Sequence, residues 1–308
     1  MTTQLYTNDI FVEHLTPQGH PERPDRIRAV SEALADAAFD DLDRHTTEMA
    51  DEAHFMLAHP EAYVEGIRDL IPEDGLVRLD PDTTVSPKSW QCVRHAAGGG
   101  LSAIDALFAG QADNAFIAAR PPGHHAEKVT AMGFCLINTA AVMARYAQQK
   151  HGVEKVAIVD WDVHHGNGTQ DIFYEDPTVL YASTHQMPLF PGSGDKNETG
   201  VGNIHNAPLS PGMGGDGFRE AFRERVLPAL DNFKPDLVIV SAGFDAHHRD
   251  PLANINLEED DFDWATGKLL DVAARYGDNR LVSLLEGGYD LKGLADSCAS
   301  HVKRLMSG

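Results

Sequence analysis

The chain has 308 residues, 42% of them hydrophobic, with 47 Asp and Glu against 25 Lys and Arg. A formal charge of −22 argues against a nucleic-acid binder, which would need a basic face to neutralise phosphates, and no apolar run approaches the ~18 residues of a membrane span. The surplus charge fits either plain solubility or attraction of a cationic substrate. The opening MTTQLYTNDIFVEHL lacks the basic and apolar segments of a secretory signal. Three widely spaced cysteines suit reduced thiols, so a cytoplasmic protein without disulfides is expected.

In chain order, Gln4 to Tyr6 predicts a first short strand. Pro24 stands just before a helix whose apolar residues Ile27, Val30 and Leu34 recur at helical spacing. A helical reading extends from Asp51 to Leu70. The stretch IPEDGLVRLDPDTTVSP is a long irregular loop, and such loops in compact domains are often functional; Glu73 and Asp74 in it are candidates for the rim of a site. Ser86 can cap a helix with Pro87 at its first position, interrupted at Gly98, Gly99 and Gly100 and resuming to Gly110.

From there apolar runs alternate with amphipathic stretches. AFIAA, KVAIVD, VLYAST, LVIVS and LVSLLE read as strands. Helices are expected over NTAAVMARYAQQKHG, from about Gly217 to Phe233, from Asp260 to Tyr276, and at the end of the chain. This alternation predicts an α/β protein, a mainly parallel sheet flanked by helices, organised as one domain over 1–308.

Each of these strands empties into polar chemistry. AFIAA runs into RPPGHHAE, with His124 and His125. KVAIVD runs into WDVHHGNG. VLYAST leads to His185, LVIVS to AGFDAHHRDP with Asp245, and LVSLLE to GGYD with Tyr289. In open parallel sheets the ligand site lies beyond the carboxyl ends of the strands, so these segments should meet. While the chain stays extended, Asp160, Asp162 and His164 share one face. Two close carboxylates raise each other's pKa unless something positive lies between them, which points to a cation; the plainer reading is a polar strand end opening into a turn.

Asp162, His164 and Asp245 offer two carboxylate oxygens and one imidazole nitrogen, the three ligands of a hydrolytic Zn²⁺ site. His124 and His125 are candidates for proton transfer. Tyr289 could donate to a developing oxyanion. Asp160 and Asn167 are candidates for orienting the two imidazoles.

RPPGHHA, D-x-D-x-H-H-G-N-G-T, AGFDAHHRDP and EGGY, in that order, resemble the zinc-dependent histone deacetylase family. Asn167 and the Glu286–Tyr289 wording are similar to its class II and bacterial amidohydrolase branch, including the acetylpolyamine amidohydrolases. The resemblance runs from HPERPDR near residue 20 to EGGYDL near 290. It implies a three-layer arginase/deacetylase-like fold with about eight strands and a zinc ion on Asp162, His164 and Asp245, Fe²⁺ being an alternative in cells.

The same resemblance makes His125 the general base and acid, His124 its electrostatic partner and Tyr289 the donor to the carbonyl. It implies a substrate tunnel walled by Gly133, Phe134 and Phe190, with the Gly133 carbonyl accepting the substrate amide N–H. A structural K⁺ would lie on Asp160, Asp162, His164, Ser183 and Thr184, and Arg26 would border an acetate channel. Asn167 replaces the aspartate of the class I pattern, so the partner of His125 is neutral.

Leu252 stands where a polyamine-selective relative carries an acidic residue, which leans toward acetylated lysine side chains as substrate over acetylated polyamines. A non-catalytic acyl-lysine binder is the alternative from another class. Binuclear-manganese arginases share the implied fold, but Asp245 with His247 supplies the wrong ligands for two ions. The oligomeric state, a homo-oligomer included, is open.

Overall fold

A computed structural model describes residues 1–308. The strands in chain order are β1 (Thr3–Thr7), β2 (Asp43–Thr46), β3 (Val77–Arg78), β4 (Thr84–Val85), β5 (Asn114–Ile117), β6 (Val156–Asp160), β7 (Val179–Gln186), β8 (Ile204–Leu209), β9 (Leu237–Ala242) and β10 (Leu281–Leu285). Eight of them form one sheet in the order β2-β1-β5-β10-β9-β6-β7-β8, while β3 and β4 make a separate antiparallel pair. Every pairing in the large sheet is parallel. The central strands are buried along their whole length, as their unbroken apolar runs require. Each Val, Ile or Leu withdrawn from water there contributes about 1.5–3 kcal/mol.

Helices cover the sheet in two groups. Asp25–Ala33, Glu259–Tyr276 and Leu291–Ser307 pack on one another, and Ser89–Phe108 packs with Thr139–His151. A single connected core of 82 buried apolar residues runs through the three layers. No helix is long and apolar enough to cross a membrane.

The order of strands matters for the site. The chain goes from β5 to β6 without pairing them, and β9 and β10 later fill the space between. Segments following β5, β10, β9, β6 and β7 therefore lie side by side, although they span residues 118 to 290 in the sequence.

Three local expectations are corrected. The helix expected over Asp51–Leu70 is two, Glu52–Phe55 and Glu61–Asp69, because Pro60 has no N–H to carry the ladder across. Ser86 is not a cap: its hydroxyl accepts the Leu15 N–H at 2.9 Å, and the helix begins at Ser89. That helix continues unbroken through Gly98, Gly99 and Gly100. Its glycines give room rather than flexibility, since a methyl at 98 would overlap the Glu48 carbonyl oxygen and one at 100 would press on Met143 Sδ. The helix expected from about Gly217 to Phe233 is present over Gly215–Phe233, and it passes through a wide π-type turn at Phe222–Val226, just before Pro228, which cannot donate to the preceding turn. The polar edge strands β2 and β8 had no apolar run to reveal them; Pro208 in β8 is tolerated because an edge strand leaves one side of its ladder free.

Candidate metal centre and active site

Asp162 and His164 follow β6, and Asp245 follows β9. Their ligand atoms lie within 4.8 Å of one another. His164 Nδ1 is 3.2 Å from Asp162 Oδ1 and 3.1 Å from Asp245 Oδ2. The outer oxygens are held by backbone: Gly287 N–H donates to Asp162 Oδ2 at 2.8 Å, and Val163 N–H donates to Asp245 Oδ1 at 2.8 Å. Burial, with the charge of Asp162 beside it, pushes the Asp245 carboxyl up to about 7. Burial alone would depress His164, but the two carboxylates outweigh it and raise the imidazole to about 10. The pair of carboxylates thus demands a positive charge beside it. A divalent cation meets the same demand, and two carboxylates with one imidazole fit zinc.

Two histidines from the loop after β5 stand beside this cluster, their rings 4.0 Å apart. His124 Nδ1 lies 3.0 Å from Asp160 Oδ2, an oxygen that also accepts the Tyr181 hydroxyl. His125 Nδ1 lies 2.8 Å from Asn167 Oδ1. Burial would lower both imidazoles; for His124 the charges of Asp160 and Asp162 win and raise it to about 10. His125 has no carboxylate in contact, and burial together with its cationic neighbours His124 and His164 holds it well below the usual range. Adjacent rings with opposite protonation preferences are suited to acid–base work.

A pocket of about 220 Å³ opens onto His125 and His164. Gly133, Phe134, Phe190, Leu252 and Tyr289 line it, joined by Leu189 and Asp82. Gly133 has φ +57°, and a methyl there would overlap the His125 ring. Phe134 follows at φ +68°, an uncommon conformation for a residue with a side chain. Its ring meets Tyr289 edge-on at 5.8 Å, and the Arg26 guanidinium covers the Tyr289 ring at 4.9 Å.

Arg26 is fully buried behind the tyrosine turn and does not line this pocket. It donates from Nε to the Gly288 carbonyl at 2.6 Å, from Nη2 to the Glu286 carbonyl at 2.5 Å, and from Nη1 to Glu22 at 3.1 Å. Burial would raise Glu22, but Arg120 and His14 outweigh it and hold the carboxyl well below the usual carboxylate range. Ser183 is paired in register with Asp160 across β6 and β7. The next hydroxyl, Thr184 Oγ1, is buried with no partner, which fits a small cation at that point. His185 faces away, bonded to Ser183 Oγ and the Gly194 carbonyl. His247 groups with His248 and Glu258, apart from the Asp162 cluster, so no second metal position adjoins the first.

Sequence reasoning picks the right early loop for the rim but the wrong residues. Glu73 and Asp74 are exposed and off the pocket, whereas Asp82, in LDPDTT, stands in its wall. Glu286 stands out in the sequence only as part of a motif; its buried carboxylate accepts the Gly123 and His124 N–H groups at 2.6 and 3.2 Å and so clips the histidine loop to the end of β10. Nothing in the sequence marks Glu127, which bonds to Asn167.

A parallel eight-stranded sheet carrying its polar site beyond the carboxyl ends of its central strands is an α/β architecture of the arginase/deacetylase fold. The histone deacetylase domain matches residues 20–305, and the chain belongs to that family of amide hydrolases. It is 41% identical to a histone deacetylase-like amidohydrolase of Pseudomonas aeruginosa, over 91% of this chain and 75% of that one. An uncharacterized protein of Synechocystis sp., slr0245, is 41% identical over 99% of this chain and all of its own length. The crystal structure of the HDA15 HD domain superposes with a TM-score of 0.94 at 35% identity, covering 99% of this chain and 88% of that one.

Proposed function

We propose that the protein is a zinc-dependent deacylase that removes acetyl from the amine of an acetylated lysine side chain, releasing acetate. The carrying observation is the convergence of Asp162, His164 and Asp245, with His164 lining a pocket that also holds His125 and Tyr289. Those three residues would hold the metal, which when bound supplies Lewis acidity toward a carbonyl and acidifies water. The apolar wall of Phe134, Phe190 and Leu252 suits an aliphatic linker, and the Gly133 carbonyl would accept the substrate amide N–H. His125, neutral because it is buried beside cations, takes the proton of the attacking water and returns it to the leaving amine. His124 stays cationic against Asp160 and stabilises the charge that builds on the acyl carbon's oxygen. The Tyr289 hydroxyl donates to the same oxygen.

The unpartnered Thr184 hydroxyl supports a K⁺ site on Asp160, Asp162, His164, Ser183 and Thr184. The buried Arg26 behind Tyr289 supports its reading as a residue bordering the acetate exit. The single connected core supports reading 1–308 as one catalytic domain. A second reading, an acetylpolyamine substrate, is favoured by Asp82 in the pocket wall and by the charge of −22.

The test is turnover of an acetyl-lysine peptide beside acetylspermidine by zinc-loaded protein. Tyr289→Phe and His125→Ala are expected to lose about 100-fold or more in kcat, and Asp245→Asn to lose bound zinc. Undiminished turnover in Tyr289→Phe and His125→Ala would overturn the mechanism, and faster turnover of acetylspermidine would select the second reading.

A further inference from the structure

We propose that Glu127 is a positioning residue for His125, acting through Asn167, so that the proton-transfer unit is a chain of three: imidazole, amide, carboxylate. The kinetic part of this inference rests on the reading of His125 as the base. Asn167 accepts at Oδ1 from His125 Nδ1 across 2.8 Å, and its Nδ2 donates to Glu127 Oε1 across 2.7 Å. Only one other atom, the weak acceptor Met132 Sδ at 3.3 Å, touches that amide nitrogen.

The two ends of a side-chain amide have nearly the same shape, so sterics alone do not choose between them. Glu127 does. An ionised carboxylate only accepts; a flipped amide would set oxygen against oxygen at the outer contact. The NH₂ group is therefore forced outward and the carbonyl inward. A carbonyl in turn only accepts, so His125 must carry its proton on Nδ1, which leaves Nε2 as the nitrogen with the free lone pair. His124 reaches its carboxylate, Asp160, directly at 3.0 Å. His125 receives orientation from a carboxylate that stays one amide away, and so avoids the contact charge that would keep it protonated.

The local sequence builds this arrangement. Glu127 lies two residues past His125, in a turn closed by its own N–H on the Thr130 carbonyl at 2.9 Å. The helix Asn167–Phe173 lies hard against that loop because residue 168 is glycine; any side chain there would overlap the Ala126 carbonyl. Asn138 ties the two together, donating to both the Ala126 carbonyl and Thr169 Oγ1. The loop is also anchored independently of Glu127, by Lys128 N–H on Asp171 at 2.9 Å. Glu127 itself is half-buried on the wall of an outer groove, away from the pocket that holds His125. Its substitution should leave the fold in place.

The experiment is a double-mutant cycle on the zinc-loaded protein with an acetyl-lysine peptide, joined to ¹⁵N NMR of the histidine side chains, His125 being identified by loss of its signal in His125→Gln. Glu127→Gln is expected to lower kcat about tenfold with KM within twofold, and to convert the His125 signals from one tautomer to a mixture. Asn167→Asp alone sets two carboxylates against each other and should lose more. Combined with Glu127→Gln it should recover, because the amide at the outer position can now donate to the carboxylate at the inner one. A wild-type His125 tautomer protonated on Nε2, or an unchanged tautomer in Glu127→Gln, would overturn the proposal, as would simple additivity of the two substitutions. Were the wild-type protein to hydrolyse no acyl amine, the functional reading would fail, and the tautomer would still decide the role of Glu127.

Discussion

At the scale of single residues, the site works by setting like groups in unlike surroundings. His124 and His125 are neighbours in the chain, yet one touches a carboxylate and the other an amide, and their proton affinities diverge accordingly. Asp162 and Asp245 press on one another and on His164, so the cluster must hold a positive charge in some form. Gly133 is packed directly against the His125 ring. Its φ of +57° disfavours any side chain by about 1 kcal/mol, and a methyl would overlap the His125 ring. Gly133→Ala is therefore expected to fold, with a melting temperature lowered by about 2 °C or more, and to lose at least about tenfold in kcat. Calorimetry and peptide turnover check this; an unchanged kcat would show that His125 tolerates displacement.

Among the elements, His301 joins the closing helix to its two neighbours. Its Nε2 lies 2.8 Å from Ser283 Oγ on β10, and its Nδ1 lies 2.6 Å from Thr266 Oγ1 on the helix Glu259–Tyr276. The Thr266 hydroxyl donates to the Phe262 carbonyl, so it accepts from Nδ1–H, and Nε2 is left to accept from Ser283. With no ion partner, burial pushes this imidazole down to about 3. The folded state thus resists a proton that the unfolded chain accepts at about 6.5. The stability from the neutral form is present above that value and is lost as pH falls through it toward about 3. Between pH 7 and pH 5 the loss amounts to about 2 kcal/mol. His301→Gln should show a correspondingly shallower fall in stability over that range, measured by urea titration at each pH; parallel pH profiles would remove His301 as the cause. The glycine run 98–100 acts at this scale too, letting the helix Ser89–Phe108 lie close to its neighbours along an unbroken ladder.

For the whole molecule, a formal charge of −22 means that the folded chain repels itself. Raising NaCl from 0.01 to 0.15 M shortens the screening length from about 30 to about 8 Å, and the melting temperature is expected to rise with it. A melting temperature independent of salt would show that the surface charges are locally compensated. The alternation of apolar strands and amphipathic helices was legible in the chain because a buried parallel strand has no polar side to interrupt its run, as Val156–Asp160 and Leu237–Ala242 show. The edge strands β2 and β8 were not legible, since DRHT and IHNAPL interrupt any apolar run with polar residues or proline.

Likewise the identities of the polar residues leaving the strands were plain, because D-x-D-x-H and Gly-His-His are costly sequences with which to end a buried strand. By itself the sequence determined which residue types stand at the ends of which strands, for that depends only on local periodicity and composition. Only the tertiary structure decided that β9 and β10 insert between β5 and β6, that Asp82 rather than Glu73 or Asp74 reaches the pocket, and that Glu127 stands behind Asn167. Those outcomes are set by packing between segments far apart in the chain, and contacts of that kind leave no periodic trace along it.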